Sequence, residues 1–383
     1  ESAAAALDYL RELQHFVYIK LDGELLWSSS MPCVVAGGES IPIARYGTSN
    51  TGLMKTVYRR GLGYRYGRVM QVIAGVHYNY SFPDAFWSAC QQLEGDQRSQ
   101  QDYMSEQYFA LIRNLQRFGW LIPYLFGTSP AVCKSFLSGK TTTLQEYNDN
   151  TYYSPYATSL RMCDIGYQNS LENEVGFKAN YNSLSDYVTS LTCAIETPSP
   201  RFAEIGVKVD GIYRQLNANM LQIENEYYSS VRPKQVPVDN EKPTLALQRR
   251  GVRYVELRSM DINVFDPCGI SDQQCRFIET FMAFCQLQDS PRISSLERIE
   301  IDYNLDAVAY RGREPGLQLQ RHGESISLQQ WAGELCAAMQ AFAEALDRGE
   351  DGTPYREALR VQQEAVSDPG KTLSAQVLDG MRE

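Results

Sequence analysis

The sequence predicts an α+β domain in which a mostly antiparallel sheet is surrounded by helices. Three stretches alternate like strands with one polar face, and two long stretches open with helix-start signals. Of the 383 residues, 43% are apolar and 21% are charged, which is typical of a globular chain with a sizeable core. No internal repeat or evident linker divides the chain. We therefore predict one domain over residues 1–383, with a helical C-terminal part from about residue 327.

The charge and the cysteine content exclude several classes of protein. A formal net charge of −10 argues against nucleic acid as a partner, because phosphate binding requires clustered Lys and Arg. No stretch reaches the roughly 20 apolar residues of a membrane helix, and no signal-peptide pattern is present. Nine cysteines with no CxxC pair are typical of reduced thiols. We predict a cytoplasmic protein without a membrane partner.

Both ends of the sequence fall inside helical patterns. Residues 2–17 repeat Leu at helical spacing directly after Glu1, and the final run SAQVLDGMRE has no convincing cap. We expect truncation at both ends, and a missing first segment would carry part of any active site.

Residues 31–68 combine a turn-rich loop, ARYGTSNTG, with a basic and tyrosine-rich run. The loop glycines fit a plain connection between elements, although a loop of this composition can also wrap a phosphate. Tyr58 and Leu62 fall one helical turn apart and would line the same surface.

The first polar-faced strand is predicted at residues 70–81, MQVIAGVHYNYS. Its alternation places Gln71, Ile73, His77 and Asn79 on one face, opposite an apolar and aromatic face. His77 is one of only three histidines. A neutral imidazole in a strand serves either as a metal ligand or as a hydrogen-bonded core residue.

Residues 100–118 are predicted as a helix that leads into a buried aromatic run, and residues 140–156 as a polar surface loop. Arg161 and Tyr167 follow a short Ser/Thr segment. An arginine can clamp a substrate carboxylate with two hydrogen bonds, but a solvated surface arginine fits the same pattern. A further helix, ended by prolines, is predicted at residues 183–197.

The second polar-faced strand is predicted within residues 215–234, where Glu224, Glu226 and Tyr228 fall on one face. Two carboxylates this close are unfavourable unless a cation lies between them. Exposed acids on an edge strand and metal ligation are both compatible with the pattern.

The third such strand, Tyr254–Met260, is the one around which the site is predicted. Its alternation puts Glu256 and Arg258 on one face, and Val255 and Leu257 on the other. The flanking apolar run predicts a position near the middle of the sheet. A buried pair of opposite charges is more often functional than stabilising, because desolvation offsets most of the attraction.

Two long helices complete the predicted scaffold. The run SDQQ opens a helix over residues 271–287 as a capping box, and SLQQ opens another over residues 327–349. In the first of these helices Cys275 and Cys285 share a stripe with apolar residues, as small core residues do.

The three polar faces, brought together on one sheet, would form a cup of carboxylates, arginines and an imidazole. Such a set holds Mg²⁺ or Mn²⁺, the metal bridges phosphate oxygens, and an arginine stabilises a transferred phosphoryl group. An enzyme that uses ATP is chemically reasonable. No GxxxxGK[ST], no GxGxxG before a helix and no HExxH is present, which argues against P-loop, Rossmann and zinc-protease folds.

A set of collinear motifs resembles the bacterial type 1 glutamate-cysteine ligases, also called gamma-glutamylcysteine synthetases. The motifs are MPC…ARYGTSNTG, KTVYRRGL, GVHYNYSFP, RFGWLIPYLFG, YATSLR, LQIENEYY…RPK and RYVELRSMDIN, and they extend over most of the chain. The resemblance implies a glutamine-synthetase-like fold, with an antiparallel sheet curved into a funnel. It also implies Mg²⁺-dependent phosphorylation of the side-chain carboxylate of glutamate by ATP, followed by attack of the cysteine amine, which is the first step of glutathione synthesis.

The same resemblance implies roles for individual residues. His77 and Glu256 would bind the metal, and Arg258 would face the transferred phosphate. Arg161 would lie at a substrate carboxylate. The substrate site would further be lined by Gln71, Ile73 and Asn79, and the pocket for the cysteine side chain by Tyr58, Leu62, Tyr167 and Tyr228. We match no role to Glu224 and Glu226.

The resemblance also implies that parts of the family pattern lie outside this sequence. Members of the family carry further metal-binding glutamates before the point where the sequence begins, and a C-terminal portion beyond Glu383. We expect a fragment of an active ligase, monomeric, with glutamate, cysteine and ATP as partners. A related carboxylate-amine ligase would keep Glu256 and Arg258 but change the tyrosine pocket. A non-catalytic relative would have lost His77, Glu256 or Arg258, and all three are present.

Overall fold

The computed structural model describes residues 2–137, 139–166, 177–239 and 241–382. Within these ranges the α-helices are α1 (Ala3–Tyr18), α2 (Asn50–Tyr66), α3 (Asp84–Glu94), α4 (Gln100–Arg117), α5 (Leu121–Phe126), α6 (Lys134–Leu137), α7 (Leu184–Glu196), α8 (Pro200–Ile205), α9 (Pro243–Arg250), α10 (Asp272–Leu287), α11 (Ser295–Arg311), α12 (Leu328–Leu346), α13 (Pro354–Ser367) and α14 (Leu373–Gly380). The strands are β1 (Val76–Tyr80), β2 (Ala131–Cys133), β3 (Gln145–Asn148), β4 (Thr151–Tyr153), β5 (Lys208–Val209), β6 (Ile212–Tyr213), β7 (Val231–Lys234), β8 (Tyr254–Met260), β9 (Gln318–Arg321) and β10 (Glu324–Ser327). Short 3-10 helices cover Gly38–Ser40, Arg68–Val72, Glu224–Glu226, Asp347–Gly349 and Pro369–Lys371. The predicted α+β class is confirmed.

A three-stranded antiparallel sheet with the order β1-β8-β7 holds the residues of the candidate site. On the middle strand Val255 and Leu257 are almost fully buried against the helices, whereas Tyr254 at its start remains partly exposed. Burial of both neighbours of Glu256 fixes the register, because a slip by one residue would move the apolar side chains out of the core. The predicted central position of this strand is confirmed.

Helix α10 runs through the middle of the helical layer and packs against α1, α4, α12 and α13. Its first turn is fixed by the predicted capping box, in which Ser271 Oγ accepts the Gln274 N–H at 3.2 Å and Gln274 Oε1 accepts the Ser271 N–H at 2.9 Å. Cys275 and Cys285 are buried along the inner stripe of the helix, as predicted. All nine cysteines are free thiols.

The other predicted helices are present with small differences in their ends. They correspond to α1, α4, α7 and α12, and a serine side chain accepts a backbone N–H at the start of each. Helices α12, α13 and α14 follow residue 327, and α11 is a helix that the sequence pattern does not predict.

The predicted strand at residues 70–81 is shorter in the structure. Gly67, with φ of 86°, ends α2, and Arg68–Val72 then form a 3-10 helix before β1 begins. The strand therefore carries His77 and Asn79 but not Gln71 and Ile73, which precede it.

The predicted strand within residues 215–234 is wrong over most of its length. Glu224–Glu226 form a 3-10 helix, and only β7 is extended. Glu226 Oε2 accepts the backbone N–H of Gln222 at 2.8 Å, and such a local side-chain bond favours a turn over a strand. The predicted surface loop at residues 140–156 is also wrong, because β3 and β4 form a hairpin there that pairs with β2.

Buried apolar residues from Ala3 to Val366 form one contiguous core, in which Trp87, Trp120 and Phe277 are among the largest buried side chains. A smaller cluster around Met31 and Leu160 lies apart from it. Among the described residues, no helix has both the length and the apolar character needed to cross a bilayer.

Candidate active site

Glu256 lies at the centre of the candidate site, on the middle strand of the central sheet. Its Cα partners are Asn79 on β1 and Arg232 on β7. The residue is 9% exposed, and its Oε2 atom accepts no hydrogen bond within the described part of the chain. Its ion-pair partners are His77 (Nδ1 to Oε1, 3.5 Å), Lys234 (Nζ to Oε2, 3.8 Å) and Arg258 (Nη1 to Oε2, 3.5 Å).

The positive charges around Glu256 keep its carboxyl group ionised. Burial alone would raise the pKa of this group, but a hydrogen bond from His77 and the charges of Lys234, Arg258 and Arg232 outweigh burial. The pKa of Glu256 is thereby lowered to about 2. A carboxylate must be deprotonated to bind a metal ion, and Glu256 meets this condition over the whole physiological pH range.

The pairing of β1 with β8 is irregular beside Glu256. On β1 the single residue His77 opposes two residues of β8, Arg258 and Ser259. Irregularities of this kind change the direction of side chains and are common near functional sites. The His77 side chain is 46% exposed, whereas that of Arg258 is 10% exposed. The imidazole is therefore accessible from the open side of the sheet, next to a buried guanidinium.

Tyr228 contacts the guanidinium of Arg258 with its ring. The guanidinium carbon lies 5.4 Å from the ring centroid, within the range of a cation–π interaction. The Tyr228 hydroxyl donates to Met162 Sδ at 3.3 Å. Tyr228 thus joins Arg258 to the smaller apolar cluster, against which Ile73 also packs.

Arg161 is buried behind Arg258 and held in one orientation by Asp261. Its Nε atom donates to Asp261 Oδ1 at 2.6 Å, and its Nη2 atom donates to the backbone carbonyl of Arg258 at 3.2 Å. Burial would lower the pKa of Arg161, but Asp261 and Tyr228 outweigh burial and raise it. The solvated surface position that the sequence left open is wrong, since Arg161 is 3% exposed.

Asp261 accepts hydrogen bonds from three further groups. These are the Thr128 N–H at 2.8 Å, the Ser129 hydroxyl at 2.6 Å and the Ser159 hydroxyl at 2.9 Å. The carboxylate ties the end of β8 to two loops that are far apart in sequence. It is 1% exposed, and these donors and Arg161 compensate its charge in place of water.

Gly75 makes room for the Arg161 guanidinium. A Cβ atom at residue 75 would lie 2.8 Å from Arg161 Cζ and Nη1, and 3.0 Å from the Met260 carbonyl oxygen. Contacts this short do not occur for real Cβ atoms, so a side chain here would displace Arg161 or the end of β8.

The remaining predicted residues lie around helix α2 or beyond the described chain. Tyr58 and Leu62 are one turn apart on α2, as predicted, and Leu62 is buried. Gln71 Nε2 donates to the carbonyl of Arg59 at 3.0 Å and so fastens the 3-10 helix to α2. Tyr167 lies outside the described residues.

Glu224 and Glu226 are bound by structural partners other than Glu256. Glu226 Oε1 accepts from Arg65 Nη1 at 2.9 Å and from the Tyr66 hydroxyl at 2.8 Å. Glu224 accepts from the Thr244 hydroxyl at 2.7 Å. The interpretation of these two residues as exposed acids on an edge strand is wrong, because both side chains are buried and hydrogen-bonded.

Comparisons with known proteins give the family. The chain matches the family model of glutamate-cysteine ligase over residues 1–308. The glutamate-cysteine ligase of Alcanivorax borkumensis is 50% identical over 97% of this chain and 72% of its own length. That of Pseudomonas entomophila is 49% identical over 99% of this chain and 71% of its own length. The chain belongs to the glutamate-cysteine ligase family.

Solved structures agree with this assignment. The crystal structure of the glutamate-cysteine ligase of Francisella tularensis in complex with AMP superposes with a TM-score of 0.92 at 35% identity, over 100% of this chain and 74% of that one. A bifunctional glutathione synthetase from Pasteurella multocida has a TM-score of 0.67 at 20% identity, over 98% of this chain and 40% of that one, and supports the fold alone. The resemblance seen in the sequence motifs is confirmed.

Three residues of this glutamate-cysteine ligase site are absent from the sequence-based prediction. Arg232 and Lys234 lie on β7 and face Glu256, and Asp261 holds Arg161. The predicted strand within residues 215–234 includes both, but its polar face is assigned only to Glu224, Glu226 and Tyr228. The same alternation continued into the run VRPK would have added Arg232 and Lys234. Nothing in the spacing of Arg161 and Asp261 indicates their contact.

The donors for a divalent cation are partly present in the described residues. Glu256 offers a buried carboxylate oxygen that accepts no hydrogen bond, and His77 offers an imidazole beside it. No group of three or more His, Cys, Asp or Glu that could hold a metal is found in the described chain. Mg²⁺ commonly binds through one or two carboxylates and completes its octahedron with water and substrate phosphates. The two donors fit such a site.

Proposed function

We propose that the chain joins the γ-carboxyl group of L-glutamate to the amine of L-cysteine at the expense of ATP. The reaction would pass through γ-glutamyl phosphate, release ADP and phosphate, and form the first bond of glutathione. The family assignment and the named relatives support this ligase activity. The observation that carries the proposal is a group of charged residues on one face of the central sheet: Glu256, Arg258, His77 and Lys234. Such a group suits the transfer of a phosphoryl group from ATP to a carboxylate.

The proposal also concerns the shape of the central sheet. We propose that β1, β8 and β7 form part of a glutamine-synthetase-like funnel, with the face that carries Glu256 on the inside. The likeness to the glutathione synthetase fold is compatible with this arrangement. The half-exposed His77 and the exposed Asn79 on that face support an open, solvent-accessible inner wall.

In this proposal a divalent cation, Mg²⁺ or Mn²⁺, is held by Glu256 and His77. When bound, it would neutralise charge on the phosphate oxygens of ATP. Arg258 would contact the phosphoryl group during transfer, since its guanidinium lies beside Glu256 and is fixed against Tyr228. The AMP complex of the Francisella tularensis enzyme supports a nucleotide as substrate of the family.

The amino-acid substrates would lie deeper in the site. Arg161, fixed by Asp261, would hold a substrate carboxylate, with Gln71, Ile73 and Asn79 lining the same space. The cysteine side chain would fit a pocket formed by Tyr58, Leu62, Tyr167 and Tyr228. An apolar pocket of this kind would reject an isostere of similar size only by roughly 10–200-fold. A monomer in the cytoplasm is the setting we propose, and the nine free thiols are compatible with a reducing compartment.

Amine-dependent release of ADP tests the function. The intact gene product would be assayed with ATP, Mg²⁺ and glutamate, and with cysteine, 2-aminobutyrate or a larger amine. We expect turnover with cysteine, weaker turnover with 2-aminobutyrate, and little with the larger amine. Preference for the larger amine would favour a related carboxylate-amine ligase, and no turnover with any amine would refute the proposal.

A further inference from the structure

Lys234 and Arg232 are the two cations around Glu256 to which the family resemblance and the proposed mechanism give no role, and of the two only Lys234 has no hydrogen bond to the described protein. Lys234 lies on β7, and its side chain is 32% exposed toward the open face of the sheet. Its Nζ atom is 3.8 Å from Glu256 Oε2, which is too long for a hydrogen bond. An ammonium group has three donors to satisfy, and Glu256 is its only ion-pair partner in the described residues.

The other cations of this face are bound in place by the protein. Arg232 donates to the backbone carbonyls of Asn225 and Tyr227. Arg258 lies against the ring of Tyr228 and pairs with Glu256 at 3.5 Å. Lys234 differs from both, because a flexible stem carries its charge at the edge of the site, where it can reach a ligand.

The balance of charge on this face indicates which ligand that is. Glu256 is a single carboxylate, whereas Lys234, Arg232 and Arg258 carry three positive charges toward it. The neighbouring Arg161 does not add to the excess, since Asp261 neutralises it. A single substrate carboxylate compensates one charge, but a di- or triphosphate compensates the whole excess together with a bound divalent cation.

We infer that Lys234 is a substrate-contacting residue that binds a phosphate oxygen of the nucleotide, on the side of Glu256 opposite Arg258. This rests on the proposed function, because it assigns a further contact to the ATP of that reaction. In the register of the sheet Lys234 is opposite Tyr254, two residues before Glu256, and Arg258 is two residues after it. Their cationic atoms lie 3.8 and 3.5 Å from Glu256 Oε2, so a phosphate chain lying across this carboxylate meets a cation on either side. Lys234 then contributes to nucleotide affinity, and the phosphoryl group in transit remains with Arg258.

Two substitutions of Lys234 and one control variant test the inference. Lys234→Met keeps the length of the side chain and removes the charge, and Lys234→Arg keeps the charge. Lys242→Met is the matched control, because Lys242 is an exposed lysine outside the site. All are made in the intact gene product, and their folding is checked by circular dichroism and thermal unfolding.

Two readouts are measured for each variant. The first is the dissociation constant for ADP with Mg²⁺, titrated without amino acids, and the second is the KM for ATP, glutamate and cysteine. Loss of one charge-assisted hydrogen bond predicts that Lys234→Met raises the ADP dissociation constant and the KM for ATP roughly 10- to 100-fold. Lys234→Arg should recover most of this loss. The KM values for both amino acids and all constants of Lys242→Met should stay within about twofold of wild type.

Three results would overturn the inference. The first is an ADP dissociation constant for folded Lys234→Met within about threefold of wild type. The second is an effect confined to the KM of glutamate or cysteine, which would assign Lys234 to an amino acid. The third is a wild-type protein that binds no nucleotide. Failure of the proposed function can be distinguished from failure of this inference. If the wild type binds ADP but shows no cysteine-dependent turnover, the ADP titration still decides whether Lys234 contacts the nucleotide.

Discussion

Asp261 fixes the direction of the Arg161 guanidinium through a buried ion pair of 2.6 Å between Oδ1 and Nε. The two residues are 100 positions apart, and both side chains are at most 4% exposed. The contact therefore ties the end of β8 to the loop that carries Arg161. The substrate-binding role that we propose for Arg161 requires an orientation set before the ligand arrives, and Asp261 provides that orientation.

Removal of Asp261 is expected to destabilise the protein strongly. Asp261→Ala leaves Arg161 buried without a counter-charge, and breaking a buried pair in this way costs about 3–5 kcal/mol in the free energy of unfolding. Urea unfolding followed by circular dichroism would measure the loss. The double variant Asp261→Ala with Arg161→Met should lose less than the sum of the two single variants, because neither charge remains.

A surface pair provides the comparison for this prediction. Asp8 and Arg11 form an ion pair at 2.6 Å, but their side chains are 71% and 60% exposed. Asp8→Ala should leave the free energy of unfolding nearly unchanged, because exposed pairs contribute little. Equal effects of Asp8→Ala and Asp261→Ala would contradict the role given to Asp261.

Gly75→Ala is expected to reduce activity through Arg161. The new Cβ atom would lie 2.8 Å from the guanidinium carbon, so Arg161 must shift within a site where about 1 Å of displacement can cost roughly 100-fold in rate. Steady-state kinetics should show a lower kcat/KM for the amino-acid substrate whose carboxylate Arg161 holds. Gly333→Ala is the control, because Gly333 lies on α12 and its Cβ would meet nothing within 4 Å. Kinetics of Gly75→Ala equal to those of Gly333→Ala would refute this role of Gly75.

The central strand is predicted correctly because apolar and polar side chains alternate along it and take opposite faces in the folded protein. Val255 and Leu257 belong to the apolar core, whereas Glu256 and Arg258 lie on the opposite face, where both are buried among charged groups. The same reasoning places His77 on the polar face of β1 correctly. The predicted strand extends too far toward Gln71. A pattern of side chains does not show that α2 ends at Gly67, which has a positive φ, and that a 3-10 helix follows it.

Two features of the site depend on tertiary contacts that no local pattern contains. The predicted strand within residues 215–234 includes Lys234, but only the pairing of β7 with β8 brings this side chain to Glu256. Glu224 and Glu226 resemble exposed acids until Arg65 and Thr244 are brought to them by folding. Partners far apart in sequence decide whether a carboxylate is structural or functional, and spacing alone does not supply them.

Arg258→Ala is expected to abolish ATP turnover while the protein remains folded. Loss of a single donor to charge that develops in a transition state lowers kcat by roughly 100- to 1,000-fold. Arg258→Lys should recover only part of the rate, because an ammonium group lacks the planar fork of donors. Rates of ADP release measure both variants. Arg253→Ala is the control, since Arg253 directly precedes the same strand and forms an exposed ion pair with Asp84. Near-normal turnover by Arg258→Ala would remove Arg258 from the phosphoryl role.

Glu256 is expected to make stability depend on pH in the acid range. Its pKa is lowered in the folded protein from an ordinary value of 4.5 to about 2, so the folded state binds fewer protons than the unfolded state between these values. The lowered pKa of Glu256 contributes about 3 kcal/mol to the free energy of unfolding. This contribution is fully present above pH 4.5 and is lost as the pH falls toward 2. Urea midpoints at pH 6.0, 4.5 and 3.5 should therefore fall more steeply for wild type than for Glu256→Gln, which does not titrate.

Because Glu256→Gln also leaves Lys234 and Arg258 without their shared counter-charge, its midpoint should be lower than that of wild type at pH 6.0 and should approach it at pH 3.5. Parallel pH profiles for the two proteins would show that Glu256 is not held ionised by its neighbours.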